Sequence, residues 1–201
     1  MLHKARFSAW LFLYCVMLTL DFKEFPVLET GRLQILQITR DDADAVLAIR
    51  SDPQTMKYIP RPLARNLEDA KILIDSFDSS FAANQLINWG IKFKGDQQLA
   101  GMICLVRMQP EHYRCEVGYI LHPDYHKQGI ISEAMDAVIA YAFHTLKFHS
   151  LEAVIDPENT ASARVLLKKE FIREGIFRHK QFFEGRFLDN DIYSLINPEP
   201  F

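Results

Sequence analysis

The chain has 201 residues, 49% of them hydrophobic and 24% charged, a balance typical of a globular protein with one sizeable core. Its formal net charge of −3 argues against broad binding of a nucleic-acid backbone, so no nucleic-acid partner is expected. The three cysteines (Cys15, Cys104 and Cys115) cannot all pair with one another. Two of them lie in apolar strand patterns, which favours buried thiols in a reducing, cytoplasmic compartment.

The chain opens with an apolar segment from Phe7 to Leu20. This segment is shorter than the roughly 20 residues of a membrane-spanning helix, and Thr19 to Lys23 lack the small residues of a signal-peptide cleavage site. An upstream start or a packed helix is the favoured interpretation; a membrane-surface anchor and a signal peptide stay open. We therefore divide the chain into an apolar extension, residues 1–24, and a domain, residues 25–201.

Hydrophobic periodicity and turn residues predict the following elements in chain order. They are a strand over 28–38, helices over 39–50 and 66–84, strands over 87–93, 99–107 and 113–121, a helix over 130–147, a strand over 150–155, a helix over 160–169, and strands over 171–183 and 186–196. This order predicts an α+β fold with a single mixed, mostly antiparallel sheet flanked by helices.

The stretch from Cys115 to Ala134 is predicted to run from a strand through a short loop around Gly129 into a helix. The start of a helix presents free backbone N–H groups and the positive end of the helix dipole, which suits a phosphate. Gly129 has no Cβ to hold a ligand away from the backbone. An ordinary strand–turn–helix connection that binds nothing is the alternative.

Three blocks of the sequence, at 25–33, 122–134 and 156–166, resemble the GNAT N-acetyltransferases of the RimJ/RimL-like branch, in the family's order. The second block resembles the acetyl-CoA pyrophosphate loop, followed by Ser-Glu-Ala. It has His126 at the first signature position, Gly129 at the central one, and Ile131 where a small residue is usual. The third block is similar to the branch's Asn-x-x-Ser-x-Arg-Val-Leu motif, and the first is like its first strand.

The resemblance implies acetyl-CoA as co-substrate. The pantetheine arm would pair with the free backbone of a splayed strand at Ile120 and Leu121, and Asn159 would contact the same region. The pyrophosphate would lie on the loop formed by His126, Lys127, Gln128, Gly129, Ile130, Ile131 and Ser132. Because backbone amides would bind it, Ile131 removes no donor and only its Cβ could crowd the ligand. Glu133 is expected to interact within its own helix.

Two residues are candidates for the chemistry. The resemblance implies that Ser162 protonates the leaving thiolate, whereas the residues alone also allow Asn159 or Thr160 to be a simple helix cap. Glu116 is the best candidate for a general base, although it could equally be paired with Arg114 or another charge. A carboxylate is a weak base for lysine but adequate, through water, for an α-amine.

These observations predict an acetyl-CoA-dependent N-acetyltransferase that acts on a primary amine, most simply a peptide or protein N-terminal amine. A small-amine enzyme for a polyamine, amino acid or antibiotic is the second interpretation, and a non-catalytic acyl-CoA-binding module the third. No metal is expected, because His, Cys and Asp show no ligand spacing, and a monomer and a homodimer are both allowed. Aromatic residues that could shape the acceptor cleft are Tyr58, Trp89, Phe182 and Phe183.

Overall fold

In the computed structural model, which describes residues 18–199, eight strands form one mixed sheet. They are β1 (Leu28–Glu29), β2 (Leu33–Gln37), β3 (Ile87–Phe93), β4 (Leu99–Gln109), β5 (Arg114–Leu121), β6 (Ser150–Ile155), β7 (Ile172–Phe183) and β8 (Arg186–Ile196). The spatial order is β1-β2-β3-β4-β5-β6-β8-β7, and each neighbouring pair is antiparallel except β5 and β6. The predicted α+β class is confirmed.

Four α-helices in the described part of the chain flank this sheet. They are α1 (Ala43–Ser51), α2 (Leu67–Ala82), α3 (Ile130–Ala140) and α4 (Thr160–Lys168). A 3-10 turn over Arg40–Asp42 leads into α1, and a π-helical turn over Tyr141–Thr145 extends α3 close to its predicted end. No helix among residues 18–199 is long and apolar enough to cross a membrane.

The strand predicted over 28–38 is interrupted and forms two antiparallel strands. A tight turn separates them: the Thr30 N–H donates to the Leu33 carbonyl at 3.0 Å, and the Leu33 N–H donates to Thr30 Oγ1 at 2.9 Å. The apolar positions change phase across this turn, from Leu28 to Leu33 and Ile35, and the prediction of one strand overlooked that change.

The core lies on both sides of the sheet. On one side α3 packs its apolar stripe, including Ile130, Ala134 and Val138, against the central strands. On the other side a smaller cluster joins α1 and α2 to β4, with Val46, Ile74 and other residues buried between them. The apolar stripe predicted on α2 is therefore a packing surface, as expected.

Residues 18–24 of the predicted extension lie against the domain. The Phe22 ring stacks on Phe81 with centroids 5.4 Å apart, and the Phe22 N–H donates to Asn84 Oδ1 at 2.7 Å. Leu18 and Leu20 pack against the larger core cluster. Residues 1–17, which include most of the apolar segment at 7–20, lie outside the described residues.

A buried ion pair ties the start of α1 to the sheet. Lys92 Nζ on β3 lies 2.7 Å from Asp42 Oδ1, and the two side chains are only 10% and 4% exposed. Asp42 Oδ2 also accepts from the Thr39 N–H at 2.9 Å, so the carboxylate is bonded on both oxygens. Breaking such a pair leaves an uncompensated buried charge.

Asp42→Ala is therefore expected to lower the free energy of unfolding by about 3–5 kcal/mol, measured by urea denaturation. Asp75→Ala is the matched control, because it breaks the exposed pair between Arg40 and Asp75, which are 66% and 46% exposed. We expect that control to lose little stability, because solvent screens an exposed pair. Equal losses in the two variants would show that the buried Lys92–Asp42 pair stabilises the fold no more than the exposed Arg40–Asp75 pair does.

Candidate active site

The site begins where β5 and β6 separate. The two strands pair in parallel only from Arg114 to Glu116 and from Ser150 to Glu152. Beyond that point, residues 117–121 of β5 pair with β4 alone, and residues 153–155 of β6 pair with β8 alone. Each strand therefore has one edge whose backbone groups face the split rather than a neighbouring strand. Unpaired backbone groups of this kind can bind an extended ligand.

A cavity of about 580 Å³ opens at this split. It is lined by residues from both diverging strands, including Gly118, Tyr119 and Ile120 of β5 and Ala153 to Ile155 of β6. Residues of α1, α2 and the loop between them close it on the other side. A volume in this range suits a small ligand or part of a larger one.

The loop that follows β5 leads to the start of α3. Gly129 is the N-cap of that helix with φ 77°, and Lys127 has φ 60°, so two left-handed residues shape the turn. The backbone N–H groups of 128–132 donate to no acceptor within the described part of the chain, whereas the Glu133 N–H donates to the Gly129 carbonyl at 3.0 Å. The loop thus presents free donors, as the sequence predicted.

The side chains of this loop are directed elsewhere. His126 Nε2 lies 3.2 Å from the Leu121 carbonyl oxygen, and the Gln128 side-chain amide donates to the Asp124 carbonyl at 2.9 Å. Ile130 and Ile131 are buried in the core cluster. The Ile131 side chain that departs from the family pattern therefore packs inward, while Lys127 is exposed and Ser132 half-buried.

Glu133 does not interact within its own helix, and that expectation was wrong. Its Oε1 accepts from Thr30 Oγ1 at 2.5 Å and from the Arg32 N–H at 3.0 Å, and its Oε2 accepts from Arg32 Nε at 2.7 Å. Arg32 Nη2 also donates to the Gln128 carbonyl at 3.1 Å. The turn between β1 and β2 therefore holds the loop and the start of α3 in place.

Asn159 and Ser162 lie at the start of α4, beside the cavity. The Asn159 side chain accepts from the Ser162 N–H at 3.1 Å, so Asn159 is the N-cap of the helix. Tyr119 from β5 reaches across the split, and its hydroxyl donates to the Ser162 carbonyl at 3.3 Å. Burial raises the pKa of the Tyr119 hydroxyl to about 12. Sequence reasoning missed Tyr119, because its place in the alternating pattern of the strand is that expected of a core residue.

Glu116 lines the cavity at the last position where β5 pairs with β6. Its side chain is 14% exposed and its carboxylate is paired with the Arg107 guanidinium, not with Arg114. Burial raises the pKa of Glu116, and the positive charge of Arg107 offsets part of that rise. Glu116 is therefore a stronger base once ionised, and it becomes available as the pH increases through this raised pKa.

Arg114 is bonded instead to Glu152, at 2.9 Å between Nη1 and Oε1, and to the Gln109 side chain. Cys104 lines the cavity, and burial raises its pKa to about 12, which favours the protonated thiol. Of the four aromatic residues considered for the acceptor cleft, Tyr58 lines the cavity. Trp89 is fully buried in the core, and Phe182 is 62% exposed on β7.

The structure thus brings Glu116, Ile120, Asn159 and Ser162 together around one cavity. The loop of residues 126–132 follows the same strand, β5, beyond its end at Leu121. Sequence reasoning also missed Arg50 and Arg61, which line the cavity from the α1–α2 side. Nothing local in the sequence marks them, because their approach to β5 depends on how the helices pack.

Comparison with known proteins decides the family. The sequence profile of the acetyltransferase (GNAT) domain matches residues 32–172. The chain belongs to the GNAT acetyltransferase family. The GNAT chain is 33% identical to the "Uncharacterized N-acetyltransferase YoaA" of Bacillus subtilis (strain 168) over 174 residues, 87% of this chain and 98% of that protein.

Other relatives of this GNAT chain have named acceptors. A spermidine N(1)-acetyltransferase of Escherichia coli (strain K12) is 29% identical over 77% of this chain and 81% of its own. A ribosomal-protein-serine acetyltransferase of the same strain is 31% identical over 52% of this chain and 58% of its own. The crystal structure of a GNAT-family acetyltransferase from Bacillus anthracis superposes with a TM-score of 0.76 at 29% identity, covering 85% of this chain and 98% of that one.

This GNAT chain is therefore an acetyl-CoA-dependent N-acetyltransferase rather than the non-catalytic module that its altered loop also allowed.

Proposed function

We propose that this acetyltransferase modifies the N-terminal amine of a peptide or protein in the cavity between β5 and β6. The observation that carries the proposal is that Glu116 is the single acidic side chain among the described residues lining this cavity. At pH 7 an α-amine needs about 1 kcal/mol to lose its proton, whereas a lysine amine needs about 4.6 kcal/mol. A site with one carboxylate as its base therefore favours the α-amine.

The named relatives support a primary amine of either kind. The ribosomal-protein-serine acetyltransferase supports a protein acceptor and the RimJ/RimL-like assignment, together with the three blocks of the sequence. The spermidine acetyltransferase supports the second candidate, a small amine such as a polyamine, amino acid or antibiotic.

Acetyl-CoA is proposed to lie along β5 and to end at α3. The edge of β5 that β6 leaves after Glu116, which ends at Ile120 and Leu121, suits the amides of the pantetheine arm. The free N–H groups of residues 128–132 suit the pyrophosphate. His126, which lies against Leu121, would border the arm, and the exposed Lys127 would add a positive charge. Asn159 would act mainly by holding the start of α4 through its cap.

Bound acetyl-CoA supplies an acetyl thioester, and the protein supplies the proton transfers around it. Glu116 accepts the proton that the amine loses, directly or through one water molecule. As the amine nitrogen bonds to the acetyl carbon and the carbon–sulfur bond breaks, Ser162 donates a proton to the departing sulfur. The proton held by Glu116 then returns to Ser162 through water, so that both groups are restored. As the third residue of α4, Ser162 lies near the positive end of the helix dipole, which favours a developing negative charge on its oxygen.

Tyr119 is the second hydroxyl near the sulfur's proposed position. The Tyr119 hydroxyl donates its proton to the Ser162 carbonyl, and this hydrogen bond holds the start of α4 against β5. We therefore assign Tyr119 a positioning role and Ser162 the role of donor.

We further propose that residues 25–201 are the catalytic domain and that the protein acts in the cytoplasm. Cys104 and Cys115 are free thiols, which supports a reducing compartment. The role of residues 1–24 is proposed to lie outside catalysis.

The acceptor class is tested by incubating the protein with acetyl-CoA and matched amines, followed by mass spectrometry. The panel contains a peptide with a free N-terminus, the same peptide blocked at its N-terminus but carrying an internal lysine, and a polyamine. We expect acetylation of the free α-amine and little of the lysine. Preferential modification of the blocked, lysine-bearing peptide or of the polyamine would contradict the proposal.

Gly129→Ala should weaken acetyl-CoA binding by about tenfold or more, equal to about 1.4 kcal/mol. A Cβ at this position would meet nothing closer than Arg32 Nη2, at 3.8 Å, so the protein itself has room for it. The added methyl group would instead project at the proposed pyrophosphate. The measurement is isothermal titration calorimetry with acetyl-CoA.

Gly95→Ala is the control for backbone strain. Gly95 has φ 82° with nothing within 4 Å of an added Cβ, and it lies in the turn between β3 and β4. Both variants lose about 1 kcal/mol of stability from the left-handed conformation. Equal affinity of the two variants for acetyl-CoA would show that the pyrophosphate does not lie against Gly129.

Ser162→Ala is expected to lower kcat by about 10²-fold, the low end for a general acid, because a thiolate leaves readily. Its affinity for acetyl-CoA should change little, because the donor acts as charge develops on sulfur. Tyr119→Phe, the comparison variant, should lower kcat less. The reverse order of the two effects, measured in steady-state kinetics, would assign the donor role to Tyr119.

A further inference from the structure

The α1–α2 side of the cavity carries two arginines. Arg50 lies in the last turn of α1, and Arg61 lies in the loop that leads to α2. That loop folds back over the end of α1, where the Ala64 N–H donates to the Arg50 carbonyl at 3.1 Å. The Arg50 side chain is half-buried and Arg61 is exposed. Both line the cavity that also contains Glu116.

Neither arginine has an anionic partner in the described part of the chain. Ion pairs bind Arg32, Arg40, Arg107, Arg114 and Arg173 to carboxylates. Arg50 and Arg61 take part in no ion pair and in no side-chain hydrogen bond among residues 18–199. Burial, and then the charge of Arg61, lower the pKa of Arg50. A partly buried guanidinium next to a second one favours an anion from outside the protein.

The rest of the cavity does not supply that anion. Among the described residues that line it, the single carboxylate is that of Glu116, which is already paired with Arg107. The described lining therefore carries an excess of positive charge, which is located at Arg50 and Arg61. A polyamine would place further ammonium groups against these arginines, which is unfavourable.

We propose that Arg50 and Arg61 bind a carboxylate of the acceptor, so that the substrate is an amine that also carries a carboxylate. This inference rests on the proposed function, because it places the acceptor in the same cavity. The carboxylate is either the α-carboxylate of a free amino acid or an acidic side chain close to the N-terminus of a peptide. Arginine suits this role because its planar fork of donors matches both carboxylate oxygens.

The test uses pairs of acceptors that differ only in the carboxylate. One pair is an amino acid and its α-carboxamide; the other is a peptide with Asp at its second position and the same peptide with Asn there. The two members of a pair also differ in amine pKa, so their kcat/KM values cannot be compared directly. We therefore compare a ratio between proteins: kcat/KM of the carboxylate member divided by kcat/KM of the neutral member, in the wild type and in each variant. The first pair reports the free amino acid, the second the acidic peptide.

Arg50→Gln and Arg61→Gln are each expected to reduce the ratio about 10- to 100-fold in at least one pair, as for loss of a charge-assisted hydrogen bond. The loss should appear in KM of the carboxylate member, with kcat/KM of the neutral member little changed. Arg50→Lys should retain part of the ratio. Arg65→Gln is the matched control and should leave the ratio unchanged, because Arg65 is exposed and does not line this cavity.

Calorimetry of the same pairs with the CoA-bound protein gives a readout that needs no turnover. If no amine is acetylated but the carboxylate member binds more tightly in the wild type than in the variants, the proposed function fails and this inference stands. Unchanged ratios in both pairs, or an equal loss for both members of each pair, would overturn the inference. Should Arg50→Gln fail to fold, the exposed Arg61 carries the test.

Discussion

The proposed acetyl-CoA site depends on one feature of the sheet, which is that β5 changes its hydrogen-bonding partners along its length. For three residues it has neighbours on both sides, and from residue 117 onward it pairs with β4 alone. The adjacent strand, β6, continues alongside β8 instead. Backbone donors and acceptors in the interior of a protein require partners. The split therefore provides both the space and the hydrogen-bonding capacity for an extended ligand, in the middle of an otherwise continuous sheet.

The same strand delivers the chain to the start of α3, where distant contacts preserve the free amides. Glu133 accepts hydrogen bonds from Thr30 and Arg32, and Arg32 also binds the carbonyl of Gln128. These bonds hold the loop through its carbonyl and side-chain groups, so its N–H groups stay available. The departure at Ile131 is compatible with this arrangement, because the side chain packs into the core below the loop.

The charges of the cavity fall into two groups with different consequences. Glu116 and Arg107 form a pair in which burial and the ion pair act in opposite directions on the carboxylate pKa. Arg50 and Arg61 form no ion pair with a carboxylate among residues 18–199, so nothing there offsets their positive charge. The first group can exchange a proton with an amine, whereas the second can only attract an anion. Both groups line one cavity. In the proposed complex, this arrangement would place the acceptor's carboxylate and its reacting amine in the same cavity.

Local patterns in the sequence predicted the order of the helices and strands, except for the break between β1 and β2. They also predicted the Gly129 turn and a cap at Asn159 or Thr160, because these features depend on residues close together in the chain. Family resemblance added Ser162 and the phosphate loop as expectations. Only the tertiary structure decided what Glu133 binds, since its partner Thr30 lies 103 residues away. It likewise decided that Arg107 pairs with Glu116 and that Arg50 lines the cavity, because helix packing and strand register, rather than neighbouring residues, set those distances.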